Sequence, residues 1–118
     1  GRAAAGSAGG AEPRFSSSVK GAEIILDILD EIGMKAVFFA EGRTAGKGFP
    51  GISSHCIGLH GYDHEDFSGM RTGIRFSREE KRSILRAGYE AVSDALGKPV
   101  CFRAPYMVYD PEIISMLP

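Results

Sequence analysis

The stretch Ile24–Ala40, IILDILDEIGMKAVFFA, decides the fold because its hydrophobic pattern changes period half-way along. In its first half, apolar side chains recur at steps of three and four residues, at Ile24, Ile25, Ile28, Leu29 and Ile32. This period predicts a helix over residues 18–32, with acidic side chains on its other face. Gly33 provides a left-handed stop, and the apolar run Lys35–Ala40 then predicts a strand buried on both faces. Helix, glycine turn and strand in this order indicate an α/β unit.

The same alternation continues towards the carboxyl terminus. Further elements are predicted as a strand at Cys56–Leu59, a helix from the capping box Ser77–Glu80 to Gly97, a strand at Pro99–Arg103 and a helix from Asp110–Pro111. Glu41–Pro50, between the first two strands, is predicted to be a glycine-rich loop. Polar side chains follow the strands directly, which is where parallel α/β folds build their sites.

Composition narrows the class of protein. The 118 residues are 43% hydrophobic and 25% charged, which is typical of a single globular domain. A net charge of -1 favours neither nucleic acid nor an anionic membrane as a partner. No run approaches the ~18 apolar residues of a membrane-spanning helix. Residues 1–14 contain nine Gly or Ala, so we predict a mobile leader there and a globular domain over residues 15–118.

Two cysteines, Cys56 and Cys101, are too few for a disulfide framework. Free cysteines are usually small buried hydrophobic side chains, so both are predicted to be buried thiols. No secretory signal is recognisable. Together these observations favour a cytoplasmic location.

His60 and His64 are four residues apart. On an extended strand they would lie ~13 Å apart, too far to share one metal ion. A helical turn at Gly61 brings them within ~6 Å on one side. Two neutral imidazoles then suit Zn²⁺ or a related divalent ion. The alternative is an ordinary pair of surface histidines.

The neighbours of this pair allow two interpretations. The acidic side chains either belong to a solvated turn or orient the imidazoles; they are Asp63, Glu65 and Asp66. Cys56 lies ~13 Å from His60 along the strand and is excluded as a ligand. His55 is expected to form a local hydrogen bond rather than bind metal.

Arg103-Ala-Pro-Tyr106 follows the third predicted strand. An arginine at the end of a buried strand is costly unless it meets a carboxylate. Pro105 constrains the loop, which can aim the backbone N–H of Tyr106 into a cleft as an oxyanion donor. The alternative is an arginine at the rim with a surface ion pair, next to a tight turn.

Four segments occur in the order found in NodB-like polysaccharide deacetylases: Phe38–Gly42, His55–His60, Gly61–Glu65 and Phe102–Tyr106. The form HGYDHED most resembles the branch that contains peptidoglycan-deacetylase-like and allantoinase-like proteins. The resemblance covers residues 18–118 and implies an α/β fold that is part of a distorted (β/α) barrel.

This resemblance also implies an activity, the hydrolysis of N-acetyl groups on an amino-sugar polymer. It implies that His60 and His64 bind a divalent metal together with an Asp from an earlier motif. Zn²⁺ is the expected ion. A second Asp would be the general base, Arg103 would orient it, and the Tyr106 backbone N–H would help hold the oxyanion. The chemistry implied is metal-assisted amide hydrolysis.

The sequence departs from the family where an Asp-Asp pair is expected before the first helix. Ser16–Ser18 stand there, and serine hydroxyls cannot replace a carboxylate base. Cys56 stands where relatives usually have Glu. A related barrel needs ~200 residues, so we expect a partial chain that is impaired in activity. Such a chain would either self-associate into homo-oligomers or be only marginally stable. Three alternatives remain: an allantoinase-like hydrolase of a small cyclic amide, a non-catalytic carbohydrate-binding relic, and a plain α/β domain with solvated histidines.

Overall fold

The computed structural model describes residues 11–52 and 54–117. Helices and strands alternate in the order α1 (Ala11–Ile32), β1 (Val37–Ala40), α2 (Gly42–Ala45), β2 (Cys56–Leu59), α3 (Arg78–Ala95), β3 (Cys101–Phe102), a 3₁₀ turn (Pro105–Met107) and α4 (Pro111–Met116). The predicted α/β class is confirmed, and β2 has the predicted bounds. None of these helices combines the length and apolar character needed to cross a membrane.

The strands form one parallel sheet in the order β1-β2-β3. Val37 pairs with Cys56, and Gly58 pairs with Cys101. Since all three strands run the same way, their carboxyl ends meet at one edge of the sheet. His60 and Arg103 directly follow β2 and β3 at that edge.

The core lies between the sheet and α3. Ile57 and Leu59 of β2 are buried there against the apolar side of α3, which includes Leu85 and Val92. Helix α3 starts at the predicted capping box: the Glu80 backbone N–H donates to the Ser77 hydroxyl, and the Ser77 N–H donates to the Glu80 carboxylate. The core and cap together fix α3 relative to β2.

A buried ion cluster joins the first turn of α3 to the start of α4. Lys81 Nζ lies 2.9 Å from an Asp110 carboxylate oxygen and 2.8 Å from one of Glu112. The hydrogen bond to Glu112 raises the pKa of Lys81 against the opposing effect of burial, and Asp110 adds to the increase. The cluster thereby secures the segment that follows the Arg-Ala-Pro-Tyr loop.

Helix α1 differs from the sequence prediction in two ways. It begins at Ala11 rather than near Ser18; residues 1–10 of the predicted leader lie outside the described residues. It also packs on the core through Ala22 and Leu26. Four isoleucines of the predicted inner face are between 49% and 57% exposed, at Ile24, Ile25, Ile28 and Ile32.

One face of the sheet is also more open than predicted. The pairing register places Val37, Cys56 and Cys101 on the same face, and all three are exposed. The prediction of buried thiols is therefore wrong, as is the prediction that β1 is buried on both faces. Helix α3 covers only the other face of the sheet, which carries Ile57 and Leu59.

Candidate functional site

The chain bends immediately after β2, as the glycine at position 61 predicts. The His60 backbone N–H still donates to the Ala40 carbonyl (2.9 Å), but Gly61 has φ +77° and turns the chain away from the sheet. The bend brings the His60 and His64 rings to a centroid distance of 4.9 Å in an edge-to-face arrangement. His64 itself has φ +58°, a conformation that is uncommon for a non-glycine residue.

A hydrogen bond determines the tautomer of His60. Its Nδ1 lies 2.7 Å from the Arg103 carbonyl oxygen. A carbonyl only accepts hydrogen bonds, so Nδ1 carries the proton and the Nε2 lone pair points away from this bond. An imidazole held in this way by a backbone carbonyl is the usual arrangement of a metal-binding histidine.

The Arg-Ala-Pro-Tyr loop meets the histidine pair. The Arg103 N–H donates to the Leu59 carbonyl (3.0 Å), which extends the β2–β3 pairing to the loop. The Tyr106 ring then lies 4.6 Å from the His64 ring. Tyr106 and Met107 have φ values of +63° and +59°, and such left-handed residues are often found at functional sites.

The guanidinium of Arg103 does not meet a carboxylate in the described part of the chain. Its central carbon lies 4.3 Å from the centroid of the Phe39 ring. The side chain is exposed, so stacking on an aromatic face replaces the ion pair that burial would have required. Phe39 in turn covers Gly58, where a Cβ atom would come within 2.4 Å of the ring.

The short helix α2, which lies within the predicted Glu41–Pro50 loop, supports the histidine turn. The Gly42 N–H donates to the Gly61 carbonyl (3.0 Å), and the Arg43 N–H donates to the Tyr62 carbonyl (2.8 Å). An ion pair of 3.1 Å between Arg43 and Asp63 adds a third connection. These contacts join segments about twenty residues apart in the chain, and no local pattern signals them.

The acidic residues after His64 stabilise backbone. Glu65 accepts hydrogen bonds from the Tyr62 and Asp63 N–H groups at 2.9–3.0 Å. Buried Asp66 accepts four hydrogen bonds, from the Arg71 and Thr72 N–H groups and the Ser68 and Thr72 hydroxyls. Burial raises the pKa of Asp66, but these donors outweigh it and the pKa is lowered. The two interpretations from the sequence were a solvated turn and orientation of the imidazoles. Glu65 and Asp66 instead accept hydrogen bonds from backbone N–H groups and so stabilise the loop.

The third histidine stands apart from the pair. His55 Nδ1 accepts a hydrogen bond from the Ala36 N–H (3.1 Å), and its ring contacts Phe38. His55 does form a hydrogen bond, but the expectation of a local one is wrong, because the partner is nineteen residues away in sequence and is brought close by the fold.

The imidazoles of His60 and His64 are suitable as two of the ligands of a divalent ion. Zinc sites in proteins usually have four ligands, with nitrogen, sulfur and oxygen donors. Within residues 11–52 and 54–117, no three His, Cys, Asp or Glu side chains come close enough to hold a metal ion. Ser16–Ser18 lie inside α1 rather than at a strand end, where the family's Asp-Asp pair is expected.

The sequence pattern of the polysaccharide deacetylase family matches residues 16–117. The chain belongs to this family. The match includes the histidine turn, the Arg-Ala-Pro-Tyr loop and residues 16–32 of α1.

Solved structures of polysaccharide deacetylase relatives have the same fold. The Xyl-CE4 domain of a multidomain xylanase from the hindgut metagenome of Trinervitermes trinervoides is 22% identical (TM-score 0.63) over 79% of this chain and 46% of the domain. A family 4 carbohydrate esterase from Streptomyces lividans, solved with acetate, is 21% identical (TM-score 0.66) over 77% of this chain and 47% of the esterase.

A third relative is described as a pseudoenzyme. BA3943 from Bacillus anthracis, of the CE4 family, is 28% identical (TM-score 0.64) over 78% of this chain and 33% of its own chain. This deacetylase-family chain thus spans less than half the length of each of these three structures. No curated protein matches it in sequence.

Proposed function

We propose that this chain carries part of the active site of a metal-dependent hydrolase that removes N-acetyl groups from an amino-sugar polymer. One observation carries the proposal: the His60 and His64 rings lie side by side, and the Arg103 carbonyl fixes the tautomer of His60. Surface histidines have no need of such a bond between two strand ends. Membership of the polysaccharide deacetylase family supports the substrate class.

The two imidazoles would hold the divalent ion, for which Zn²⁺ is proposed. When bound, such an ion would polarise the amide carbonyl and lower the pKa of its water. The residues of the chain have separate tasks. The Arg103 carbonyl keeps the His60 ring in position. The backbone N–H of Tyr106, a residue with left-handed φ, is assigned as the fixed donor for the developing oxyanion. The Arg103 guanidinium, stacked on Phe39, is assigned to orient the general base.

Zinc titration tests the ligand assignment directly. Isothermal titration calorimetry of the full chain should show one site whose affinity falls at least tenfold in His60→Ala and in His64→Ala. His55→Gln is the matched control, because His55 bonds to Ala36 instead of facing the pair. Equal zinc affinity in all four proteins would favour the plain α/β domain with solvated histidines.

A non-catalytic carbohydrate-binding protein is the second candidate. It is favoured by the number of donors, since the described residues contain no group of three His, Cys, Asp or Glu side chains that could hold a metal ion. The likeness to a CE4 family pseudoenzyme supports the same interpretation.

Two hydrolysis assays separate these candidates. Acetate release is measured with a chitin oligomer and ring opening with allantoin, each with and without added Zn²⁺. Zinc-dependent acetate release supports the deacetylase, whereas turnover of allantoin supports the cyclic amide hydrolase. Binding of the oligomer without turnover supports the carbohydrate-binding protein.

The proposed cellular location is the cytoplasm. Both thiols are free and exposed, which suits a reducing compartment. Nucleic acid and membrane are not proposed as partners, in line with the net charge of -1.

A further inference from the structure

The loop between the histidine turn and α3 has no role in the proposed function, but it places an arginine at the edge of the candidate site. Arg71 lies in the segment between the histidine turn and α3, and its side chain is exposed. Its guanidinium carbon lies 5.4 Å from the centroid of the Tyr106 ring. Since the Tyr106 ring also contacts His64, one aromatic ring separates Arg71 from the histidine pair.

The position of Arg71 is built by the fold. Its backbone N–H donates to the buried Asp66 carboxylate at 2.9 Å, and the next residue, Thr72, donates to the same oxygen twice. Asp66 follows His64 by two residues, so the loop that carries Arg71 is anchored next to the histidine turn. A side chain anchored at its own backbone and stacked on a ring loses less freedom when it binds a ligand.

The charge of Arg71 is available. The structure shows no ion pair of Arg71 within the described residues, although the Asp66 carboxylate accepts a hydrogen bond from its backbone. Asp66 accepts hydrogen bonds from the loop, Glu65 from the histidine turn, and Asp63 pairs with Arg43. A guanidinium stacked on a ring keeps its N–H edge open, and that edge matches a carboxylate in a two-bond geometry.

We propose that Arg71 forms an anion subsite at the edge of the active site and selects N-acetylated sugars that carry a carboxylate. The inference rests on the proposed function, because it takes the histidine pair as the place where the N-acetyl group binds. Tyr106 would connect the two, with one side of its ring towards His64 and Arg71 over its face. A carboxylate on the same sugar or on its neighbour would lie against the guanidinium.

Two sugars that differ in one carboxylate test the subsite. N-acetylmuramic acid has a lactyl carboxylate that N-acetylglucosamine lacks, and both are titrated into the full chain with calorimetry or NMR detection. The wild-type chain should bind the acidic sugar about fivefold more tightly, the range of a solvent-accessible charged contact. Arg71→Gln should abolish this preference and leave the affinity for the neutral sugar unchanged.

Arg75→Gln is the matched control, since it removes the same charge from the same exposed loop. Equal affinity of the wild-type chain for both sugars overturns the subsite alone and leaves the proposed function standing. So does an equal loss of preference in Arg71→Gln and Arg75→Gln, because it would indicate a general effect of charge. If neither sugar binds, both the proposed function and the subsite are overturned.

Discussion

Gly88 shows how a single residue sets the position of the histidine turn. A Cβ atom there would lie 2.8 Å from the Gly61 carbonyl oxygen and 3.0 Å from its carbonyl carbon. Both are backbone atoms, so they cannot move aside as the end of a long side chain can. Gly42 is equally confined, because a Cβ atom added to Gly42 would lie 2.8 Å from the Cα atom of Gly88. Glycine at these positions lets α2, α3 and the turn approach each other closely.

We therefore expect Gly88→Ala to displace the histidine turn. The substitution should lower the free energy of unfolding by about 1–2 kcal/mol, since overpacking outweighs the gain in helix propensity. It should also weaken zinc binding severalfold. Urea denaturation and zinc titration measure the two effects.

Gly21→Ala in α1 is the control, because a Cβ atom there meets nothing within 4 Å. This change should instead raise the free energy of unfolding by about 0.5–1 kcal/mol. A similar stabilisation by Gly88→Ala would contradict the close-contact explanation.

At the scale of structural elements, the segment from Asp66 to Ile74 depends on one carboxylate. It has no helix or strand of its own, and its hydrogen bonds converge on the buried Asp66 side chain. This segment carries Arg71 and leads from the histidine turn to the capping box of α3. Its order therefore depends on the ionisation of Asp66.

The lowered pKa of Asp66 predicts a loss of stability in acid. Its contribution should be fully present above its ordinary pKa of 3.8 and should disappear as pH falls through the lower value in the folded protein. Asp66→Asn should cost about 1–2 kcal/mol at neutral pH, because the amide cannot accept all four hydrogen bonds. Denaturation midpoints of both proteins between pH 7 and pH 2.5 measure the difference.

The gap between wild type and Asp66→Asn should close in acid. Ser83→Ala, on the exposed side of α3, is the control and should show a small difference that does not vary with pH. If the Asp66→Asn gap stayed constant down to pH 2.5, the carboxylate would not be the anchor of this loop.

At the scale of the whole molecule, the described residues leave apolar surface exposed. Four isoleucines of α1 form a stripe along one side of the helix, at Ile24, Ile25, Ile28 and Ile32. Val37 on the open face of the sheet is exposed as well. Exposed apolar surface of this kind promotes association.

We expect the 118-residue chain to self-associate in a concentration-dependent manner. Ile25→Glu combined with Ile28→Glu should shift it towards monomer, because it places charges in the stripe. Static light scattering at several protein concentrations provides the measurement. Ser17→Glu adds charge to an exposed polar position of the same helix and should leave association unchanged. A wild-type chain that is monomeric at all concentrations would disprove this prediction.

Much of the fold was determined by local sequence. β2 and the start of α3 were predicted correctly, because strand period and capping chemistry act between residues close in the chain. The bend at Gly61 and the approach of His60 to His64 have the same local origin. The order of four short motifs also identified the family, which the match over residues 16–117 shows.

Only the tertiary structure decided which surfaces are covered and which distant residues meet. The apolar stripe of α1 and both cysteines are exposed, because burial depends on what packs against an element and not on its own period. Helix α2 is four residues long and is supported by contacts with the histidine turn, so no local pattern reveals it. Arg71 at Tyr106 and Gly88 at Gly61 are likewise contacts between remote parts of the chain, and only packing in three dimensions creates them.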